Sequence, residues 1–316
     1  MNKLVDVKRL VLFSFLLTLL CIEVPLLRAG ELRVHNSTPL FLKFWDEARA
    51  LPLDEQIALF EKKVWPSFPQ FYEYKVSAWA ENGTAKRDGF KKVFEDFQEI
   101  ESRFRTKSAA ISVELDSNLK KFLKTFPDFK TNLDAYVIHS FGEMDGGTRL
   151  LKGKETLIFG IDGMIKHHNG KSEIPFFHHE LFHAYHMQHL NAESAVWSAL
   201  WVEGLATYIS ESLNPGSSLQ DLLLDLPVGM VERCKKDIPF LWSDLKSKLR
   251  SKDGEDYSNY FLMNSKHPKI PPRAGYYLGY LVAKELGKTR TLYELSRLRG
   301  KKLESLIFKT IESISR

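Results

Sequence analysis

The segment that most limits what this chain can become is His178-His179-Glu180-Leu181-Phe182-His183. Seven of the ten histidines fall between His167 and His189, and within that cluster His179, Glu180 and His183 form an H-E-x-x-H pattern. On a helix advancing about 100° per residue, positions 179 and 183 differ by about 40° and lie about 6 Å apart along the axis. Both imidazoles can then reach one ion. Pro175 is placed to begin the helix, and Leu181, Phe182 and Ala184 give it faces to bury. Glu180 stands beside the first ligand, where its carboxylate can face water on the ion.

Such a pair needs a third donor, and three residues compete for that place. His186 lies on the same face, but its seven-residue separation from His179 is about 10 Å of rise, too far to share an ion on an unbroken helix. His189 gives the spacing of the metzincin pattern H-E-x-x-H-x-x-G-x-x-H. That pattern turns the chain back at a glycine, and here position 186 is His, which is strained at positive φ. Glu203 stands twenty residues after His183, and Gly204 and Ala206 beside it permit close approach of a second helix. A carboxylate there would complete a His₂Glu site with one position open. Cys21 and Cys234 are too few for a cysteine-based site.

The rest of the chain supplies the frame. Lys3, Lys8 and Arg9 precede an apolar run from Leu10 to Ile22, and Ala29-Gly30 offers small residues for cleavage, so 1–29 reads as a secretory signal. The run is too short for a permanent span, which leaves membrane attachment only through an uncleaved signal. Residues 30–126 read as an N-terminal helical subdomain, with Phe90, Val93, Phe94, Phe97, Ile100 and Phe104 recurring on one helix face. From 127 to 316 the texture changes. Ala135-Tyr136-Val137-Ile138 and Thr156-Leu157-Ile158-Phe159 are β-prone runs among glycines, and helical spacing resumes near Pro175. The expected class is α+β, mostly helical, with a small sheet beside the central helices. The net charge of +5 is small and its basic residues are scattered, which argues against a nucleic-acid partner. His167-His168, next to Asn169-Gly170, read as an exposed polar loop, and the cations flanking Cys234 favour a lowered thiol pKa.

His179-Glu180-x-x-His183 followed by Glu203-Gly204-Leu205-Ala206 resembles the gluzincin zinc metallopeptidases, and more narrowly predicted bacterial zinc-dependent proteases of unassigned substrate. Phe159-Gly160-Ile161-Asp162 and Arg273-Ala274-Gly275-Tyr276-Tyr277-Leu278-Gly279-Tyr280 look like the same family, so the resemblance covers roughly residues 135 to 287. It implies a zincin-like catalytic domain over 127–316, one Zn²⁺ per chain on His179, His183 and Glu203, and Glu180 as catalytic base. Tyr276, placed as in the resembling proteins, is the expected oxyanion donor, with Tyr280 on its face and Arg273 nearby. The implied activity is hydrolysis of a peptide or protein substrate by an exported, periplasmic or secreted enzyme. Three alternatives remain open: a non-catalytic extracellular metal-binding or adhesion protein, a metzincin-like protease with His189 as third ligand, and a hydrolase acting on a non-peptide amide. Glu180 speaks against the first, since metal storage has no use for a carboxylate between the ligands.

Overall fold

The computed structural model describes residues 32–129, 134–168 and 171–315, and the segment read as a signal, 1–29, lies outside the described residues. A short strand, β1 (Arg33–Asn36), leads into α1 (Thr38–Ala48), whose first turn holds Pro39, where a missing N–H costs nothing. Then come α2 (Leu53–Lys63), α3 (Pro69–Glu81) and the 40-residue α4 (Lys86–Thr125). The aromatic stripe of α4 is a core face: Phe90, Val93, Phe94, Phe97 and Phe104 are buried and Ile100 is half-buried. Phe41, Phe44 and Trp45 of α1 meet Phe94 and Phe97 with ring centroids 4.9 to 5.9 Å apart, in tilted and edge-on pairs. Those geometries are the ones aromatic quadrupoles favour.

The sheet contains β1, β2 (Asp134–Ile138), β3 (Gly146–Leu151) and β4 (Lys154–Gly160), in the order β1-β2-β4-β3. β1, β2 and β4 are parallel, and β3 returns antiparallel along the edge of β4. Lys152 and Gly153, at φ 49° and 80°, form the two-residue turn of that hairpin. Positive φ at both positions is what a twisted hairpin of this length demands. β2 and β4 arise from the two apolar runs, whereas β1 and β3 were not expected. Since β1 pairs with β2, residues 30–126 and 127–316 contribute to one sheet.

Helices fill the remainder: α5 (Ile161–His168), α6 (Ile174–His186), α7 (Val196–Leu213), α8 (Met230–Lys236), α9 (Ile238–Lys248), α10 (Gly254–Phe261), α11 (Ala274–Gly287), α12 (Leu292–Ser296) and α13 (Gly300–Ile314). The architecture is α+β, mostly helical, with one small sheet. α6 begins at Ile174, with Pro175 in its first turn, and packs against α4, α7 and β3, while α7 also packs against α11. Leu181 and Phe182 of α6 are fully buried, each contributing about 1.5–3 kcal/mol of apolar transfer. α6 is therefore held on several sides.

Candidate metal centre

Four-residue spacing on α6 puts the rings of His179 and His183 side by side, with their Nε2 atoms 2.9 Å apart. Glu203, from the middle of α7, brings Oε2 to 3.4 Å from His179 Nε2 and 3.3 Å from His183 Nε2. These three residues form the one group of potential metal ligands found among the described residues. The group can hold a metal ion. Burial works against charge on His183, yet the Glu203 carboxylate overrides it and lifts the imidazole to about 9. Burial likewise opposes ionisation of Glu203, but His183 and His179 hold its carboxyl well below the usual carboxylate range. Burial and the neighbouring His183 instead lower the pKa of His179, so of the two imidazoles only His183 is held charged, while the ionised Glu203 carboxylate favours a cation beside it.

His178, one residue earlier, does different work. Its Nδ1 accepts from the Asn214 amide at 2.8 Å, and its Nε2 faces the Asn118 carbonyl at 3.3 Å. The ring is buried and ties α6 to α4 and to the end of α7, fixing the rotation that aims His179 and His183 at Glu203. His186 is buried on an unbroken helix, and neither ring nitrogen has a hydrogen-bond partner among the described residues. His189 lies past the helix end with its ring packed 4.9 Å from that of Tyr185, and it is not part of the ligand group.

The ligand group opens into a cleft of about 420 Å³ whose walls include β3, α6, α7 and the start of α11. Glu180 lines it, is 8% exposed, and has no hydrogen-bond partner among the described residues. Burial pushes this carboxyl up to about 7, with His183 opposing and Asp145 and Glu203 reinforcing the shift. A methyl built on Gly147 would sit 3.9 Å from Glu180 Oε2, so β3 passes directly beside it.

Tyr276 also lines the cleft, its ring nearly parallel to that of His179 at 6.5 Å between centroids. The Arg273 guanidinium packs over the same Tyr276 ring, with Cζ 4.1 Å from its centroid, and Nη1 donates to the Leu223 and Leu226 carbonyls at 3.1 and 3.4 Å. Burial raises the phenol pKa, so Tyr276 stays a donor at neutral pH. Tyr280 is not brought to the site. Its hydroxyl donates to Glu211 Oε1 at 2.8 Å and accepts from Lys284.

Several residues of the cleft carried no sequence signal. Asp145, Arg149 and Tyr257 all line it. Asp145 Oδ1 accepts from the Gly146 amide at 2.9 Å, and Oδ2 pairs at 3.1 Å with His168 Nε2. The opposite nitrogen of that ring reaches Glu173 at 3.3 Å, and Glu173 pairs with Lys107. His168 is therefore 2% exposed at the end of α5, not in a solvated loop as its polar neighbours suggested. Asp162 accepts from the Ser140 and Gly142 amides at 2.6 and 2.7 Å, clasping the loop that leads into β3. Cys234 departs from expectation too: burial outweighs the adjacent Arg233 and pushes its thiol up to about 12.

No family model, no curated protein and no solved structure matches this chain.

Proposed function

We propose that the protein is a zinc-dependent peptidase with a gluzincin-type, zincin-like catalytic centre. The observation that carries this reading is the meeting of His179, His183 and Glu203 in one cleft with a buried Glu180 that has no hydrogen-bond partner among the described residues. Two nitrogens and one oxygen suit zinc, and the spacings of 2.9 to 3.4 Å bracket the roughly 3.3 Å that tetrahedral ligands at ordinary zinc bond lengths require. His179, His183 and Glu203 would hold the ion. When bound, zinc supplies Lewis acidity, polarising a carbonyl and making water easier to deprotonate.

The chain's own groups supply the rest. Glu180 takes the proton of the attacking water on its carboxylate and delivers it to the departing amine, a task favoured by a carboxyl whose affinity for protons burial has raised. The Tyr276 phenol O–H donates to the oxyanion that forms on the former carbonyl. β3 is an edge strand that lines the cleft, so an extended peptide can add alongside it through backbone hydrogen bonds. Export is part of the same proposal, resting on the charged and apolar segments of residues 1–29.

Purified protein should contain close to one equivalent of zinc and should cleave members of a random peptide mixture, with cleavage lost on chelation and regained on adding zinc. Zinc bound without cleavage of any peptide would favour the metal-binding alternative.

A further inference from the structure

The proposed peptidase cleft contains a cation with no ion pair among the described residues. Of its three carboxylates, Glu203 is engaged by two histidines and Asp145 has both oxygens hydrogen-bonded, which leaves Glu180 for proton transfer. Two guanidiniums share the cleft, and neither has a carboxylate within 4.0 Å among the described residues. Arg273 is anchored by two carbonyls and stacked on Tyr276. Arg149 is not anchored. It projects from β3, is half-buried, and makes one hydrogen bond among the described residues, to the carbonyl of its neighbour Thr148 at 3.3 Å, while its charge acts on Glu180 only from beyond ion-pair distance, opposing the rise of that carboxyl's pKa. Glu143, the other acid on the loop before β3, is tied to Lys75 at 2.6 Å.

A guanidinium never deprotonates at physiological pH and offers five donors in a planar fork. A peptide lying along β3 would cover Arg149 and strip its water. A neutral peptide would leave that charge buried and unpaired, whereas a carboxylate would meet it with two parallel charge-assisted hydrogen bonds. We propose that Arg149 is a specificity-determining residue that selects substrates bearing a carboxylate next to the scissile bond. The carboxylate belongs to an acidic side chain or to the substrate's own C-terminus. This inference rests on the reading of the cleft as a zinc peptidase site.

The test uses the full zinc-loaded chain and four hydroxamate-capped tripeptides as binding probes, with Glu or Gln at the second position and a free or amidated C-terminus. Hydroxamate engages zinc whether or not catalysis occurs. At least one carboxylate-bearing probe should bind ~10-fold or more tightly than the doubly neutral one, the scale of one good charge-assisted pair. Arg149→Gln should abolish the preference and Arg149→Lys should restore part of it, with zinc content and melting temperature unchanged, because Arg149 holds no ion pair among the described residues. If the Gln substitution removes the preference, the carboxylate is a side chain, and if amidation removes it, the carboxylate is terminal. Equal affinity for all four probes, no binding of any probe, or a preference that survives Arg149→Gln overturns the proposal. A carboxylate preference without cleavage of the corresponding unblocked peptides would reject the peptidase reading alone.

Discussion

Gly204 of α7 and Gly279 of α11 touch backbone to backbone: a Cβ on Gly204 would lie 2.1 Å from the Gly279 carbonyl carbon, and one on Gly279 would lie 2.2 Å from the Leu200 carbonyl oxygen. Glu203 precedes one of these glycines, and Tyr276 lies nearly one turn before the other. The close crossing of two helices therefore sets how far the third ligand and the phenol stand from His179 and His183.

Gly204→Ala should disturb both stability and metal binding. Alanine favours helix by about 1 kcal/mol over glycine, but here its methyl meets backbone that has no rotamer to change. Overpacking of this kind costs about 1–3 kcal/mol. Thermal melts should show a lower Tm and zinc titration a weaker site. Gly254→Ala, where nothing lies within 4 Å, serves as the control and should be neutral or stabilising. An unchanged Gly204→Ala protein would mean that the two helices can part without moving Glu203.

The third ligand has a direct comparison. Glu203→Ala should weaken zinc binding by more than the ~10–100-fold typical of residues that only orient a ligand, while His189→Ala leaves affinity close to wild type. Glu203 Oε2 is within 3.4 Å of both histidine nitrogens, and His189 packs on Tyr185 instead. Competitive titration against a chromogenic chelator ranks the two variants. The opposite ranking would restore the metzincin-like arrangement.

Glu180→Gln separates metal binding from proton transfer. The amide keeps the side chain's size but cannot accept the water's proton. Zinc content should persist while peptide hydrolysis falls by at least ~100-fold, the usual scale for loss of a general base. Loss of zinc along with activity would point to a structural role, and retained hydrolysis would remove Glu180 from the mechanism.

Those tests concern residues that sequence reasoning could reach, because their geometry is local or carried by regular spacing. The α6 pair follows from helical pitch, and the α4 stripe and strands β2 and β4 follow from apolar patterning. β3 was hidden by Gly146 and Gly147 and by Leu150, which is 70% exposed and so breaks any alternation of buried and exposed positions. β1 has only four residues, three of them exposed. His168 looked solvated from its neighbours, yet its partner Asp145 stands 23 positions earlier and is brought to it only by the tertiary fold. Cys234 shows the same limit, since charges adjacent in sequence mattered less than the side of α8 that faces the core. Arg149 and Tyr257 reach the cleft by no periodic rule.

Tyr276→Phe tests the oxyanion donor. The ring packs beside His179 and under Arg273, so phenylalanine preserves the packing and removes only the hydroxyl. kcat should fall by ~10²-fold with KM, zinc content and Tm nearly unchanged, because the lost hydrogen bond exists mainly in the transition state. Tyr257→Phe, at the same cleft, supplies the comparison. A larger loss in Tyr257→Phe would transfer the role to that phenol.

His186 offers a stability test independent of catalysis. It is 1% exposed, both ring nitrogens lack hydrogen-bond partners among the described residues, and burial, with His183 and His189 adding in the same direction, lowers it to about 3 from the ordinary 6.5. The unfolded chain binds a proton there as pH falls through 6.5, while the folded chain resists until about 3. Stability is therefore lost as pH falls across that window, at about 1.4 kcal/mol per pH unit for this group. His186→Leu should stabilise the protein at neutral pH by about 1–3 kcal/mol, the cost of one buried unsatisfied donor, and should reduce the pH slope by a fraction of a proton near pH 7, rising toward one proton by pH 5. Urea unfolding at pH 7, 6 and 5, with chelator present for both proteins so that zinc release does not enter, measures the difference in slope. The same slope in wild type and variant would show that the folded chain protonates His186 near the ordinary pH, which requires a partner or water that reaches its ring.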